Sequence, residues 1–144
     1  MHNNTAPFSF ILPTEIRFGK GVISGLPEEL LGNGHKSVLI ITDPVIAELQ
    51  FMSDIIGALH SAGIQTDAFD QVEPNPKDRN VAAAAAKAVG MNAEALLAVG
   101  GGSPIDCAKA VSVVVAFGGK ARDYEERKTI NAPVLPLYTV PTTA

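Results

Sequence analysis

Short apolar runs alternate along the chain with segments of helical spacing. Residues 8–12 and 16–18 read as short strands, and residues 26–31 as a short helix closed by Gly32-Asn33-Gly34. Ser37-Val38-Leu39-Ile40-Ile41 is almost wholly apolar, the pattern of a strand covered on both faces. Beyond Asp43-Pro44, Ile55, Ile56, Leu59 and Ala62 keep a helical period, and Gly63 suits the C-terminal cap. Residues 64–69 form the next predicted strand. Asn75-Pro76-Lys77-Asp78 then opens an alanine-rich helix to Gly90, with Asn75 as the cap and Pro76 at the first helical position. Residues 95–99 read as a second fully buried strand. Ser103 starts a helix to about Phe117, ended by Gly118-Gly119, and residues 134–140 give the last strand.

Strands alternating with helices predict parallel crossovers and a doubly wound, mostly parallel α/β sheet. The Pro/Gly-rich points all fall between predicted elements, so the 144 residues read as one domain. A hydrophobic content of 47% supports a packed core, and a net charge of −4 without a basic stripe argues against a nucleic-acid groove. No apolar run approaches the roughly 20 residues of a membrane span. The polar start Met1-His2-Asn3-Asn4-Thr5 lacks the order of a signal peptide, and Cys107, the one cysteine, has no internal disulfide partner. A cytoplasmic location is the expectation.

The densest chemistry lies at Val99-Gly100-Gly101-Gly102-Ser103-Pro104-Ile105-Asp106, where an apolar strand runs through three glycines into a helix. Such a turn brings backbone N–H groups close to a ligand, and the helix start favours a phosphate or pyrophosphate. A bare strand-to-helix turn would need the same glycines, so the turn alone admits both readings. It is neither a Walker loop nor a G-x-G-x-x-G fingerprint, because no Lys-Ser or Lys-Thr follows and no glycine stands three residues after Gly102. Asp106 can cap the helix in a box with Ser103 and pair with Lys109 on the helix surface. Cys107 reads as core packing rather than as a nucleophile, having no obvious basic partner.

Asp43 follows a strand directly. There it can accept hydrogen bonds from two ribose hydroxyls and disfavour a 2′-phosphate, which leans to NAD over NADP; as the residue before Pro44 it can equally cap a helix. It precedes the glycines by more than 50 residues, the reverse of the ordinary dinucleotide order. His2, His35 and His60 share no metal-ligand spacing, and the pairs Glu28-Glu29 and Glu125-Glu126 read as solvated charge. No self-contained catalytic constellation is visible.

Gly100-Gly101-Gly102-Ser103-Pro104-Ile105-Asp106-Cys107-Ala108-Lys109 resembles the GGGSxxDxAK signature of the iron-containing (group III) alcohol dehydrogenases. Thr42-Asp43, Pro74-Asn75-Pro76 and Pro141-Thr142-Thr143-Ala144 resemble three further family segments in the same order, and Arg122-Asp123-Tyr124 is a weaker match. The resemblance implies a Rossmann-like nucleotide-binding half followed by a helical metal-binding half, and hydride transfer between an alcohol and NAD(P), giving an aldehyde or ketone. By position, it implies that Asp43 holds the adenosine ribose and that Gly101, Gly102 and Ser103 contact the pyrophosphate. Asn75 and Asp106 would lie near the cofactor, and Thr142 and Thr143 toward the phosphate and nicotinamide ribose.

The family's metal ligands, an Asp and three His, belong to the helical half, so the resemblance places no Fe2+ or Zn2+ ligand and no catalytic residue on these 144 residues. Their isolated activity as an alcohol dehydrogenase is expected to be absent. Glycerol dehydrogenase-like and dehydroquinate synthase-like enzymes share the layout, but Ser103 to Cys107 and the Pro-Thr-Thr-Ala end favour the alcohol dehydrogenases. A non-catalytic nucleotide-binding module is the competing class; apolar surface left without a partner domain would then favour a homodimer. Small-molecule alcohols or aldehydes are the expected substrates, with no nucleic acid or membrane partner.

Overall fold

The computed structural model describes residues 11–124 and 130–143. Four strands, β1 (Ser37–Ile41), β2 (Gln65–Phe69), β3 (Ala95–Gly100) and β4 (Leu137–Pro141), form one sheet in the order β2-β1-β3-β4. Every neighbouring pair is parallel, with Ile41 opposite both Phe69 and Ala98, and Gly100 opposite Pro141. Five helices accompany them: α1 (Leu26–Gly32), α2 (Pro44–Ala47), α3 (Gln50–Ser61), α4 (Asp78–Gly90) and α5 (Gly102–Phe117), with short 3-10 turns at Val22–Gly25 and Ala121–Tyr124.

The apolar runs of β1 and β3 are explained by cover on both sides. Leu39, Ile41, Leu96 and Ala98 pack against Val81, Ala84, Ala85 and Ala88 of α4 and Cys107, Ala108 and Val111 of α5. The alternate positions Val38, Ile40, Ala95, Leu97 and Val99 pack with Leu30 of α1 and Met52, Ile55 and Leu59 of α3. Adjacent side chains on a strand point to opposite faces, so a strand between two helical layers must be apolar at every position. The alanines of α4 let that helix lie close to α5 and the sheet. The result is the doubly wound α/β architecture.

The chain moves from β1 outward to β2, then crosses back over β1 to β3. The carboxyl ends of β1 and β3 therefore flank a switch point, where open α/β sheets leave a crevice.

Several local expectations are corrected. Residues 16–18 form no strand; the alternation there meets no neighbouring strand, and Ile16 and Phe18 are 69% and 99% exposed. Of the strand expected at 8–12, only Ile11 and Leu12 lie within the described residues, and neither is in a strand. The helical segment after Asp43 is two helices, because Leu49 is extended between α2 and α3. Asn75 does not cap α4. Its φ is +55°, and Lys77 takes the capping position, its N–H donating to Asn80 Oδ1 at 3.1 Å. Ser103 does not cap α5 either; Gly101 does, and the helix begins at Gly102. The last strand starts at Leu137 rather than 134. Gly63 and Gly118 do end α3 and α5 as expected, both left-handed at φ +81° and +73°.

Candidate functional site

The site grows from the exits of β1, β3 and β4. Thr42, directly after β1, is 1% exposed, and its Oγ1 donates to the Val99 carbonyl at 2.7 Å. That bond ties the exit of β1 to the exit of β3. Asp43 comes next, half-buried, and its Oδ1 accepts from the N–H groups of Val45 and Ile46, each at 2.9 Å. Asp43 is thus a helix cap, one of its two anticipated roles. Its second oxygen, Oδ2, takes no part in the cap and faces Gly100, 3.4 Å from where a Cβ on that glycine would stand.

Gly100 ends β3 with φ +144°. A Cβ there would come within 2.8 Å of Pro104 Cγ, so both the dihedral and the space demand glycine. Gly101 is limited differently: its Cβ would rest against Thr143, 3.5 Å from Cγ2. A Cβ on Gly102 would meet nothing within 4 Å. Thr142 closes the third side, its N–H donating to the Gly100 carbonyl at 2.9 Å. Three strand exits remote in sequence therefore converge on one turn.

At the start of α5 the donor supply is specific. Gly102 and Ser103 precede the helix's own i→i−4 ladder, so their N–H groups have no intrahelical acceptor. Pro104 carries no N–H, and Ile105 is the first to bond back, to the Gly101 carbonyl at 3.4 Å. Two N–H groups at the positive end of a sixteen-residue helix suit an anionic group. Ser103 Oγ accepts from the Asn75 N–H at 3.3 Å, joining the β2–α4 loop to the same helix end.

The structure thus groups Asp43, Gly101, Thr142 and Thr143 around Gly100 and joins Asn75 to Ser103. Asp106 is directed elsewhere: exposed one turn further along α5, it pairs with Lys109 at 3.4 Å and shares a groove with Pro76 and Asp78. Cys107 is fully buried between α5 and the sheet, and burial pushes its thiol up to about 11, which suits packing and not nucleophilic chemistry. The roles of Gly100, Thr42 and Pro104 were not singled out from sequence. The three consecutive glycines were the available signal for Gly100; Thr42 was visible only as part of the Thr42-Asp43 segment, and its bond depends on β1 lying beside β3. Among the described residues no three His, Cys, Asp or Glu side chains come together as a metal site, and no helix is long and apolar enough to cross a membrane.

A family model of iron-containing alcohol dehydrogenases matches residues 13–144. A choline dehydrogenase of Bacillus subtilis (strain 168) is 38% identical over 139 residues, spanning 94% of this chain and 35% of that protein. Among solved structures, a 1,3-propanediol oxidoreductase superposes with a TM-score of 0.89 at 33% identity, over 96% of this chain and 36% of that one. A sulfoacetaldehyde reductase from Bifidobacterium kashiwanohense, solved in complex with NAD+, superposes with a TM-score of 0.86 at 25% identity, again over 96% and 36%. The chain thus spans 35–36% of the length of these relatives. With the glycine turn, the early acid and the strand order all in agreement, the chain belongs to the iron-containing alcohol dehydrogenase family, a family of oxidoreductases.

Proposed function

We propose that this chain is the nucleotide-binding portion of an NAD-dependent alcohol dehydrogenase and holds the pyrophosphate of NAD at the start of α5. The observation that carries this reading is the convergence of Asp43, Gly100 to Ser103 and Thr143 at the carboxyl ends of β1, β3 and β4. Bound NAD+ would take a hydride from the alcohol carbon and leave an aldehyde or ketone. The chain's own residues bind and orient. The N–H groups of Gly102 and Ser103 donate to phosphate oxygens, and the absence of side chains at Gly101 and Gly102 lets those oxygens approach the backbone. Asp43 Oδ2, left over from the cap, accepts from the ribose hydroxyls and repels a 2′-phosphate, favouring NAD over NADP. Thr142 and Thr143 face the other side of the turn, toward the phosphate and nicotinamide ribose.

An alcohol as the substrate agrees with the relatives' names, and the solved NAD+ complex of a relative supports the choice of cofactor. Iron, which the family name implies, or zinc in its place, finds no ligand set among the described residues. The test is a fluorescence titration of the chain with NADH, with NADPH alongside. Saturable binding that prefers NADH supports the reading. No saturation with either nucleotide at millimolar concentration overturns it.

A further inference from the structure

Asn75 carries one of the two positive φ values outside glycine among the described residues, +55°. The left-handed region is uphill for an L-residue, and asparagine tolerates it better than most. The position is harder still because Pro76 follows, and a residue before proline is driven toward extended backbone. Pro74 fixes the φ on the other side. An unfavourable conformation held between two prolines persists only where the surrounding fold determines it, and such residues cluster at functional sites.

The geometry shows what the conformation achieves. The Asn75 N–H donates to Ser103 Oγ at 3.3 Å, across 28 residues of sequence. Ser103 is the second residue of α5, where its own N–H is free of intrahelical bonds. A hydroxyl has one proton and two lone pairs. With a lone pair engaged by Asn75, the hydroxyl is oriented, and its proton remains to be donated. Asn75 is exposed and Ser103 half-buried, so the bond spans the mouth of the site rather than its core.

We infer that Asn75 is a positioning residue: its left-handed backbone aims an N–H at Ser103 Oγ so that the Ser103 hydroxyl donates to a phosphate oxygen at the start of α5. The inference rests on the nucleotide reading above and adds to it a role for the Asn75 main chain, distinct from any contact by its side chain.

Backbone and side chain separate by substitution. Asn75→Gly removes the side chain and keeps easy access to φ +55°, whereas Asn75→Ala removes the side chain and resists that φ. NADH affinity is measured by fluorescence for both variants, for Ser103→Ala, and for Asn75→Ala combined with Ser103→Ala, with a thermal melt of each. Losing a hydrogen bond to a charged phosphate weakens binding by about tenfold or more. The expected pattern is a loss of that size for Ser103→Ala, a comparable loss for Asn75→Ala, a double variant no weaker than Ser103→Ala alone, and near-parental binding for Asn75→Gly. Equal losses in the Gly and Ala variants would assign the effect to the side chain and overturn the inference, as would additive losses in the double variant. If Asn75→Ala does not fold, Asn75→Gly decides: near-parental affinity supports the inference and a tenfold loss overturns it. A parent chain that binds no NADH overturns the nucleotide reading itself, and this inference with it.

Discussion

Asp43 Oδ2 lies 3.4 Å from the point where a Cβ on Gly100 would stand, although Asp43 follows β1 by two residues and Gly100 ends β3. Strand order alone creates this proximity, since β1 and β3 are neighbours in the sheet. The carboxylate divides its work: Oδ1 serves α2, and Oδ2 remains at the crevice.

Asp43→Asn and Asp43→Ala separate those two duties. Asparagine caps as well as aspartate, so Asp43→Asn is expected to melt close to the parent, while Asp43→Ala costs about 1 kcal/mol in a denaturant titration. Both lose the carboxylate. Both are therefore expected to weaken NADH binding and to narrow its margin over NADPH. Unchanged NADH affinity in both would remove Asp43 from the site.

Gly100→Ala places a Cβ 2.8 Å from Pro104 Cγ at a φ of +144°. Strain and overpacking together cost roughly 2–4 kcal/mol, read as a lower unfolding midpoint. Gly102→Ala meets no neighbour within 4 Å and sits in the first turn of α5. It should hold or raise stability by up to about 1 kcal/mol, yet weaken NADH binding, because the added methyl occupies the phosphate's approach.

Cys107 sets an alkaline limit. Burial raises its thiol to about 11, whereas in the unfolded chain it ionises near about 8.5. The folded state keeps a proton that the unfolded state releases, so this contribution is whole below the unfolded value and is lost as pH rises toward 11. Unfolding free energy measured from neutral to strongly alkaline pH should fall less steeply in Cys107→Ala than in the parent. A thiol reagent should label the native chain slowly at neutral pH and the denatured chain fast.

Glu94 acts at the acid end. The Lys36 N–H donates to its Oε2 at 2.5 Å and the Ser37 N–H at 3.2 Å, and these bonds, that of Lys36 foremost, hold the carboxyl below the usual carboxylate range. A lowered pKa gives stability above the ordinary carboxylate range that is lost as pH falls through the folded value. In acid titrations, Glu94→Gln should flatten the loss of stability relative to the parent.

The parts most legible from sequence were those where every position obeys one constraint. In β1, Val38 and Ile40 face one helical layer and Leu39 and Ile41 the other, so an unbroken apolar run meant a buried parallel strand. Residues 16–18 carried the alternation of a strand, but no ladder forms on them, and alternation cannot announce whether a partner exists. The break at Leu49 interrupts a segment whose apolar spacing continues across it. At Asn75 the residue type suited a cap; the residue is instead left-handed and bonded to Ser103, against the extended bias that Pro76 imposes. The glycine turn and the acid were each visible, but their meeting was not, because it depends on which strands become neighbours.

The bond from the Thr142 N–H to the Gly100 carbonyl has a consequence for the order in which the site becomes competent. The crevice borrows its third wall from the last strand, whose pairing with β3 closes a loop of about 40 residues, an entropic cost that grows only slowly with length. Before β4 docks, the glycine turn lacks Thr142 and Thr143. Occupancy of the crevice therefore favours the docked strand by mass action. Saturating nucleotide should slow amide exchange at Tyr138, Thr139 and Val140 more than at residues deep in β1, making the sheet's edge a reporter of its ligand.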